Sequence, residues 1–255
     1  MKQRNKWFWV FFVIFVIAVG VGAGYYFGQK DREQVYEDLA EENKKPQEET
    51  KQEEQTTDEP AEEEKTVEIP IDFSSLKEKN SEVYAWIRIP DTQVDYPILQ
   101  RASDDLYYLD HTIDGAEGLP GSIYTQSLNA QDFSDKNTVI YGHNMRNGSM
   151  FGTFRKLHEQ SNLTSPYVWI CTPKHTWRYK IFSVHTASVT GETYTLFSMA
   201  DEQFAEYLKS MKSASELQLD AEADKDDKVI TMSTCTGNSS TRFVIQAKRL
   251  EKGEN

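Results

Sequence analysis

The sequence predicts a mainly β domain with peripheral helices, a closed or nearly closed barrel of about eight strands, preceded by one transmembrane helix. Three observations carry this. Residues 7–27 hold no charged side chain. Residues 31–68 are acidic and hold almost no large apolar residue after Leu39, so the folded part begins near Ile69. Beyond that point aromatic and β-branched residues recur at alternate positions in short runs divided by Gly, Pro, Asn and Asp, the pattern of strands and turns.

The uncharged run is 21 residues long. At about 1.5 Å per helical residue it spans about 30 Å, the thickness of a bilayer core. Lys2, Arg4 and Lys6 precede it and an acidic stretch follows. The positive-inside rule therefore places residues 1–6 in the cytoplasm and everything after Gly28 outside. A cleaved signal peptide is the competing reading. The run exceeds the usual apolar region of about 7–15 residues, and Gly22-Ala23-Gly24 lies inside it rather than after it. The sequence favours an uncleaved, single-pass anchor in the cell membrane, with Trp7, Trp9, Tyr25 and Tyr26 at the two interfaces.

Residues 28–68 read as an acidic flexible linker. Positions 31–68 carry sixteen acids against five bases, a net −11, and bury too little apolar surface to offset the entropy of ordering. Residues 31–45 have helical propensity and extend the membrane helix. As a flexible chain the 38 residues of 31–68 span about 35 Å. No catalytic group lies in residues 1–68, so they are expected to be dispensable for chemistry.

Residues 69–255 suffice for one well-buried domain. The chain carries a net −13, which argues against a nucleic-acid partner, since phosphate binding needs clustered Lys and Arg. Phe73, Leu76 and Val83 suggest a short helix capped by Asp72 or Ser74. Strands are expected at 84–89, closed by Pro90, then at 96–99, 121–124, 138–141, 167–171, 177–189, 228–233 and 242–247. Met150, Phe151, Phe154 and Leu157 repeat at helical spacing. So do Phe204, Tyr207, Leu208 and Met211, with Asp201 and Glu202 in the first turn. Eight or so strands with few helices fit a barrel.

The strand ending at Ser233-Thr234-Cys235 delivers a thiol. Seven residues later Arg242 opens the next strand, across the turn-rich loop 236–241. An attacking thiol needs thiolate character, a proton acceptor and a cation for the developing oxyanion. A structural Cys beside a surface Arg fits the local pattern equally well. Upstream, the strand 138–141 breaks at Gly142 and displays His143. An imidazole exchanges protons near neutrality with a thiol or a leaving amine. A lone His after a strand is more often a surface or capping residue. Cys and His on separate strand ends of one domain shift that balance toward a cysteine-peptidase pair. The two cysteines allow one bridge, or one reactive thiol and one core residue; Cys171, inside an apolar strand, favours the second. His111, His158, His175 and His185 are not grouped with other ligands, so no metal and no cofactor are expected.

The string Thr138-Val-Ile-Tyr-Gly-His-Asn-Met145, with Ser149-Met-Phe-Gly152, resembles the histidine region of class B sortases of Gram-positive bacteria. Ser233-Thr-Cys235 with Arg242 resembles their thiol and arginine. Trp86-Ile-Arg-Ile-Pro90, Val94-Asp-Tyr-Pro-Ile-Leu-Gln100 and Gly121-Ser-Ile-Tyr124 match in order and spacing, so the resemblance covers about 70–250. It implies an eight-stranded sortase-type barrel and a cysteine transpeptidase, grouped with the cysteine peptidases, with catalytic Cys235, His143 and Arg242. The implied reaction cleaves a C-terminal sorting signal of a secreted protein after Thr and transfers the protein to an amine of a peptidoglycan precursor. Asp104, Tyr108, Tyr194, Thr195, Leu196 and Ser233 are implied to line the groove, beside an inserted helix near 201–213. Gln126, Asp104 and Thr236 depart from the family pattern, and the Cys-to-Arg loop is short. A pilin-polymerising enzyme that uses a Lys amine, a thiol peptidase and a tethered binding domain remain as alternatives.

Overall fold

A computed structural model describes residues 2–43, 71–159 and 163–251. The stretch 44–70, which includes most of the expected linker and the expected domain start, lies outside the described residues. Eight strands, β1 (Val83–Arg88), β2 (Asp95–Leu99), β3 (Ile123–Thr125), β4 (Asn137–Tyr141), β5 (Tyr167–Cys171), β6 (Thr176–Ser188), β7 (Val229–Cys235) and β8 (Thr241–Arg249), close a barrel in the order β1-β2-β3-β4-β7-β8-β6-β5. Each expected strand falls within two residues of an observed one. Among the described residues, closure leaves no unpaired sheet edge. Trp86, Ile87, Ile98, Ile230, Met232 and Ile245 are among the side chains that fill the core. Two neighbouring pairs run parallel, β2 with β3 and β4 with β7, and the second of these builds the candidate site.

Asp72 caps α2 (Phe73–Lys79) by accepting from the Ser74 and Ser75 amides at 3.0 Å; Val83 belongs to β1 instead. The helix expected over Met150 to Leu157 shrinks to α4 (Phe154–Leu157). Met150 has φ +52° and forms an isolated antiparallel bridge with Asn144, and Phe151 follows in a turn. All four apolar residues are buried, so a tucked-in loop produced the helical spacing. Two short elements, α3 (Tyr107–Asp110) and a 3₁₀ turn at Glu192–Tyr194, are too brief to show a period in sequence. The last helix, α5 (Glu202–Ala214), is capped by Asp201 and buries Phe204, Tyr207, Leu208 and Met211 in a cluster with Phe182 and Val229.

The N-terminal helix corrects the linker reading. It runs unbroken through Lys2–Glu42, which we number α1, and is long and apolar enough to cross a membrane. Its last turns are not a tether. Tyr36 and Leu39 are each 2% exposed and join the barrel's core cluster. Arg32 Nε donates to the Leu119 carbonyl at 2.6 Å, and the Asp72 amide donates to Asn43 Oδ1 at 3.0 Å. Val35, Tyr36 and Leu39 form a narrow apolar stripe at helical spacing, which the charged average of the surrounding 38 residues hides.

Behind α5, His185 is buried in β6, its ring nitrogens 2.9 Å from Ser183 Oγ and 3.3 Å from Thr193 Oγ1. Burial pushes its pKa from 6.5 down to about 4, against the nearby Glu216 and with the help of His158. The unfolded chain therefore binds the proton at higher pH than the folded one, so stability falls as pH drops from about 6.5 to about 4, at most by about 3 kcal/mol. Thermal melts of the wild type between pH 7 and pH 5 should show this fall. His185→Gln should flatten it, and an unchanged slope in that variant would assign the pH dependence to other groups.

Candidate active site

Three strand ends meet at one rim of the barrel. β4 and β7 pair in parallel from Asn137↔Val229 to Tyr141↔Ser233. The Gly142 amide still reaches the Ser233 carbonyl at 3.2 Å. Two residues beyond the last pair stand His143 and Cys235, level with each other. Asn144 Nδ2 donates to the Cys235 carbonyl at 2.7 Å and extends the register. On the other side of β7, the antiparallel ladder sets Cys235 opposite Arg242 of β8. Gly142 is needed here for space: a Cβ would collide with the Ile123 side chain and stand 2.8 Å from the Phe151 ring.

The Cys235 thiol is free and exposed. Arg242 is half-buried, and its Nη1 donates to the Ser239 and Thr241 carbonyls at 3.1 and 2.8 Å, which anchors the guanidinium on its own hairpin. His143 Nε2–H donates to the Leu109 carbonyl at 2.5 Å. That partner assigns the proton to Nε2 in the neutral ring and leaves Nδ1 as the nitrogen for proton exchange. The arrangement brings a free thiol, an imidazole and a guanidinium to one rim.

Beside them Tyr141, Val189, Tyr194, Ser233 and Arg242 line a depression of about 260 Å³. Tyr194 and Ser233 hydroxyls are 2.9 Å apart. Tyr124, Tyr141 and Tyr194 stack in sequence, with centroids 5.4 and 6.4 Å apart. Burial pushes the Tyr141 hydroxyl up to about 12 and raises those of Tyr124 and Tyr194 as well, so all three stay protonated donors at the rim. The Arg242 guanidinium acts in the opposite direction on Tyr124 and Tyr194.

The other groove candidates separate. Thr195 and Leu196 follow the 3₁₀ turn; the Thr195 carbonyl accepts from Asn137 Nδ2 at 3.0 Å, and Leu196 is 40% exposed. Asp104 is exposed and accepts from the Leu106 amide at 3.0 Å, just before α3. Tyr108 is not a groove residue in this structure. It is 1% exposed, and its hydroxyl donates to Glu82 at 2.5 Å and accepts from Asn80 at 2.9 Å. α3 turns it inward, where its ring adds to the core. Tyr141, Val189 and Tyr124 were missed. Alternation along β4 puts residues 141 and 143 on one face, a signal that could have found Tyr141. Cys171 is a buried core residue, and burial raises its thiol.

A family model for the sortase domain matches residues 87–250. Sortase B of Listeria monocytogenes is 34% identical over 195 residues, covering 72% of this chain and 76% of its own. The crystal structure of sortase B from B. anthracis in complex with AAEK1 superimposes with a TM-score of 0.72 at 25% identity, covering 89% of this chain and all of that one. The Staphylococcus aureus sortase B–substrate complex shares the fold, with a TM-score of 0.66 at 23% identity over 71% of this chain and 85% of its own.

Proposed function

The chain belongs to the sortase family, class B, and we propose that it is a membrane-anchored transpeptidase working through Cys235, His143 and Arg242. The meeting of three strand ends at one rim is the observation that carries this reading. Cys235 passes its thiol proton to Nδ1 of His143 and, as the thiolate, attacks the carbonyl of a Thr in the sorting signal of a secreted protein. The tetrahedral oxyanion is stabilised by the Arg242 guanidinium. As the amide C–N bond breaks, His143 gives its proton to the leaving amine, and a thioester on Cys235 remains. An amine of a peptidoglycan precursor then attacks the thioester. His143 takes the amine's proton, the Cys235 thiolate leaves, and a new amide bond is formed.

Tyr194 and Ser233, which line the depression beside Arg242, with Thr195 and Leu196 next to them in sequence, are assigned to one wall of the peptide groove, and Asp104, on the loop before α3, is kept as a further candidate. The shared fold of the Staphylococcus aureus sortase B–substrate complex is in keeping with a substrate-binding role for this barrel. Residues 1–6 stay in the cytoplasm, 7–27 span the membrane and the catalytic domain from about residue 69 faces outward, a topology supported by the Lys and Arg that precede the span.

The test uses the full-length protein in detergent with a pool of quenched peptides carrying Thr before the scissile bond, plus triglycine or Nα-acetyl-lysine amide. Ligation to triglycine is expected. Ligation to the lysine amide alone would point to pilin-type polymerisation. Cleavage without ligation would make the chain a thiol peptidase, and no reaction with any peptide would make it a binding domain.

A further inference from the structure

The docked end of α1 touches the surroundings of His143 from two sides. On one side Glu33 accepts from Asn147 Nδ2 at 2.7 Å, holding the loop that follows the histidine. On the other side Tyr36 enters the loop 118–122. Its hydroxyl accepts from the Ile113 amide at 3.0 Å and lies 2.8 Å from both the Gly121 carbonyl and Ser122 Oγ. Ser122 Oγ gives its own proton to the His111 carbonyl at 2.8 Å, so the tyrosine proton serves Gly121 and Ser122. Burial raises the Tyr36 hydroxyl far above its ordinary value and keeps that proton in place.

The loop in turn frames the carbonyl that holds the imidazole. The Gly118 amide donates to the Asp110 carbonyl at 2.6 Å, and the Ser122 amide donates to the Tyr108 carbonyl at 2.9 Å. Leu109 lies between these two, and its carbonyl accepts the His143 Nε2 proton. Gly121, at φ +65°, passes so close that a Cβ there would stand 2.5 Å from the Leu109 oxygen. Any shift of the loop therefore moves that oxygen.

We propose that Tyr36 is a positioning residue for the reaction: through the loop 118–122 and the Leu109 carbonyl it fixes the ring orientation and tautomer of His143. The membrane anchor and the catalytic base are then parts of one rigid device, since the same unbroken helix carries both the apolar run and Tyr36. This revises the expectation that residues 1–68 are dispensable, and it rests on His143 being the proton-transfer group.

The experiment compares two substrates on the full-length protein in detergent, under single-turnover conditions. One is a quenched peptide with Thr before the scissile amide. The other is the same peptide with that amide replaced by a thioester, whose thiolate leaves without a proton. Tyr36→Phe keeps the ring and removes the hydroxyl. Its maximal acylation rate on the amide should fall about tenfold, a fraction of the full value of a general acid. Its rate on the thioester should stay within about twofold of wild type, because the step that needs the proton is absent. Arg32→Ala, which removes the bond to Leu119, should show the same selective loss. Equal losses on both substrates would reduce Tyr36 to a packing role, and an unchanged amide rate in both variants would overturn the proposal. A His143→Ala variant with wild-type amide turnover would instead overturn the role of His143 on which the proposal rests.

Discussion

Cys235→Ala should abolish acyl transfer, with a loss on the order of 10⁶-fold by the precedent of removing a nucleophile from a catalytic triad, while Cys171→Ala leaves turnover near wild type. The two thiols differ in exposure and in neighbours. Cys235 is exposed at a strand end opposite Arg242. Cys171 is 1% exposed in β5, paired with Trp86 on one side and Thr176 on the other, and burial raises its thiol. A thiol that is buried and protonated neither attacks a carbonyl nor meets a reagent. A methanethiosulfonate reagent should accordingly modify the native protein once, at Cys235, as read by intact mass and peptide mapping. The barrel order also separates the two cysteines. β8 and β6 lie between β7 and β5, so three strand spacings, about 14 Å along the sheet, divide them, against a disulfide limit of about 7 Å between Cα atoms. Modification of Cys171 with Cys235 untouched would sink the assignment, and so would a disulfide between them in active protein.

The strands were legible because runs of β-branched and aromatic residues, buried along nearly their whole length in β1, β4 and β7, are divided by turn residues. Where burial and period part company, the sequence misleads. Met150, Phe151, Phe154 and Leu157 are buried at helical spacing, yet Met150 takes a positive φ that no helix allows. α3 spans four residues, too few for any period, and with it went the inward turn of Tyr108. The docking of α1 was masked by composition. Arg32, Glu33 and Glu37 read as solvated charge, but two of them meet the domain through backbone or amide partners that only the fold supplies.

The rim was legible in part for a different reason. A Cys closing one strand, an Arg opening the next and a His just past a Gly are positions, and the strand registers convert positions into neighbours. The partners of these side chains were not legible. The Leu109 carbonyl on His143 and the Ser239 and Thr241 carbonyls on Arg242 are backbone atoms, and no residue type announces a backbone acceptor.

Those carbonyls sharpen what Arg242 should do. Losing an oxyanion donor costs about 10²–10³-fold in rate, roughly 2.7–4 kcal/mol, and Arg242→Ala should lose at least that much in turnover. The fold should survive: the side chain is half-buried at a strand start, where a substitution usually shifts stability by less than about 0.5 kcal/mol. Arg242→Lys separates charge from geometry. In the wild type one nitrogen, Nη1, is tied to the two hairpin carbonyls, which aims the rest of the planar fork. A lysine ammonium can bind the carbonyls or face the oxyanion, but it has no second nitrogen to do both. It should therefore recover only part of the lost rate. Steady-state kinetics on both variants, with thermal melts to confirm folding, decide the matter. Near-wild-type turnover in Arg242→Ala would remove the guanidinium from the site and leave a two-residue mechanism of Cys235 and His143. Full recovery in Arg242→Lys would keep the charge but dismiss the fork.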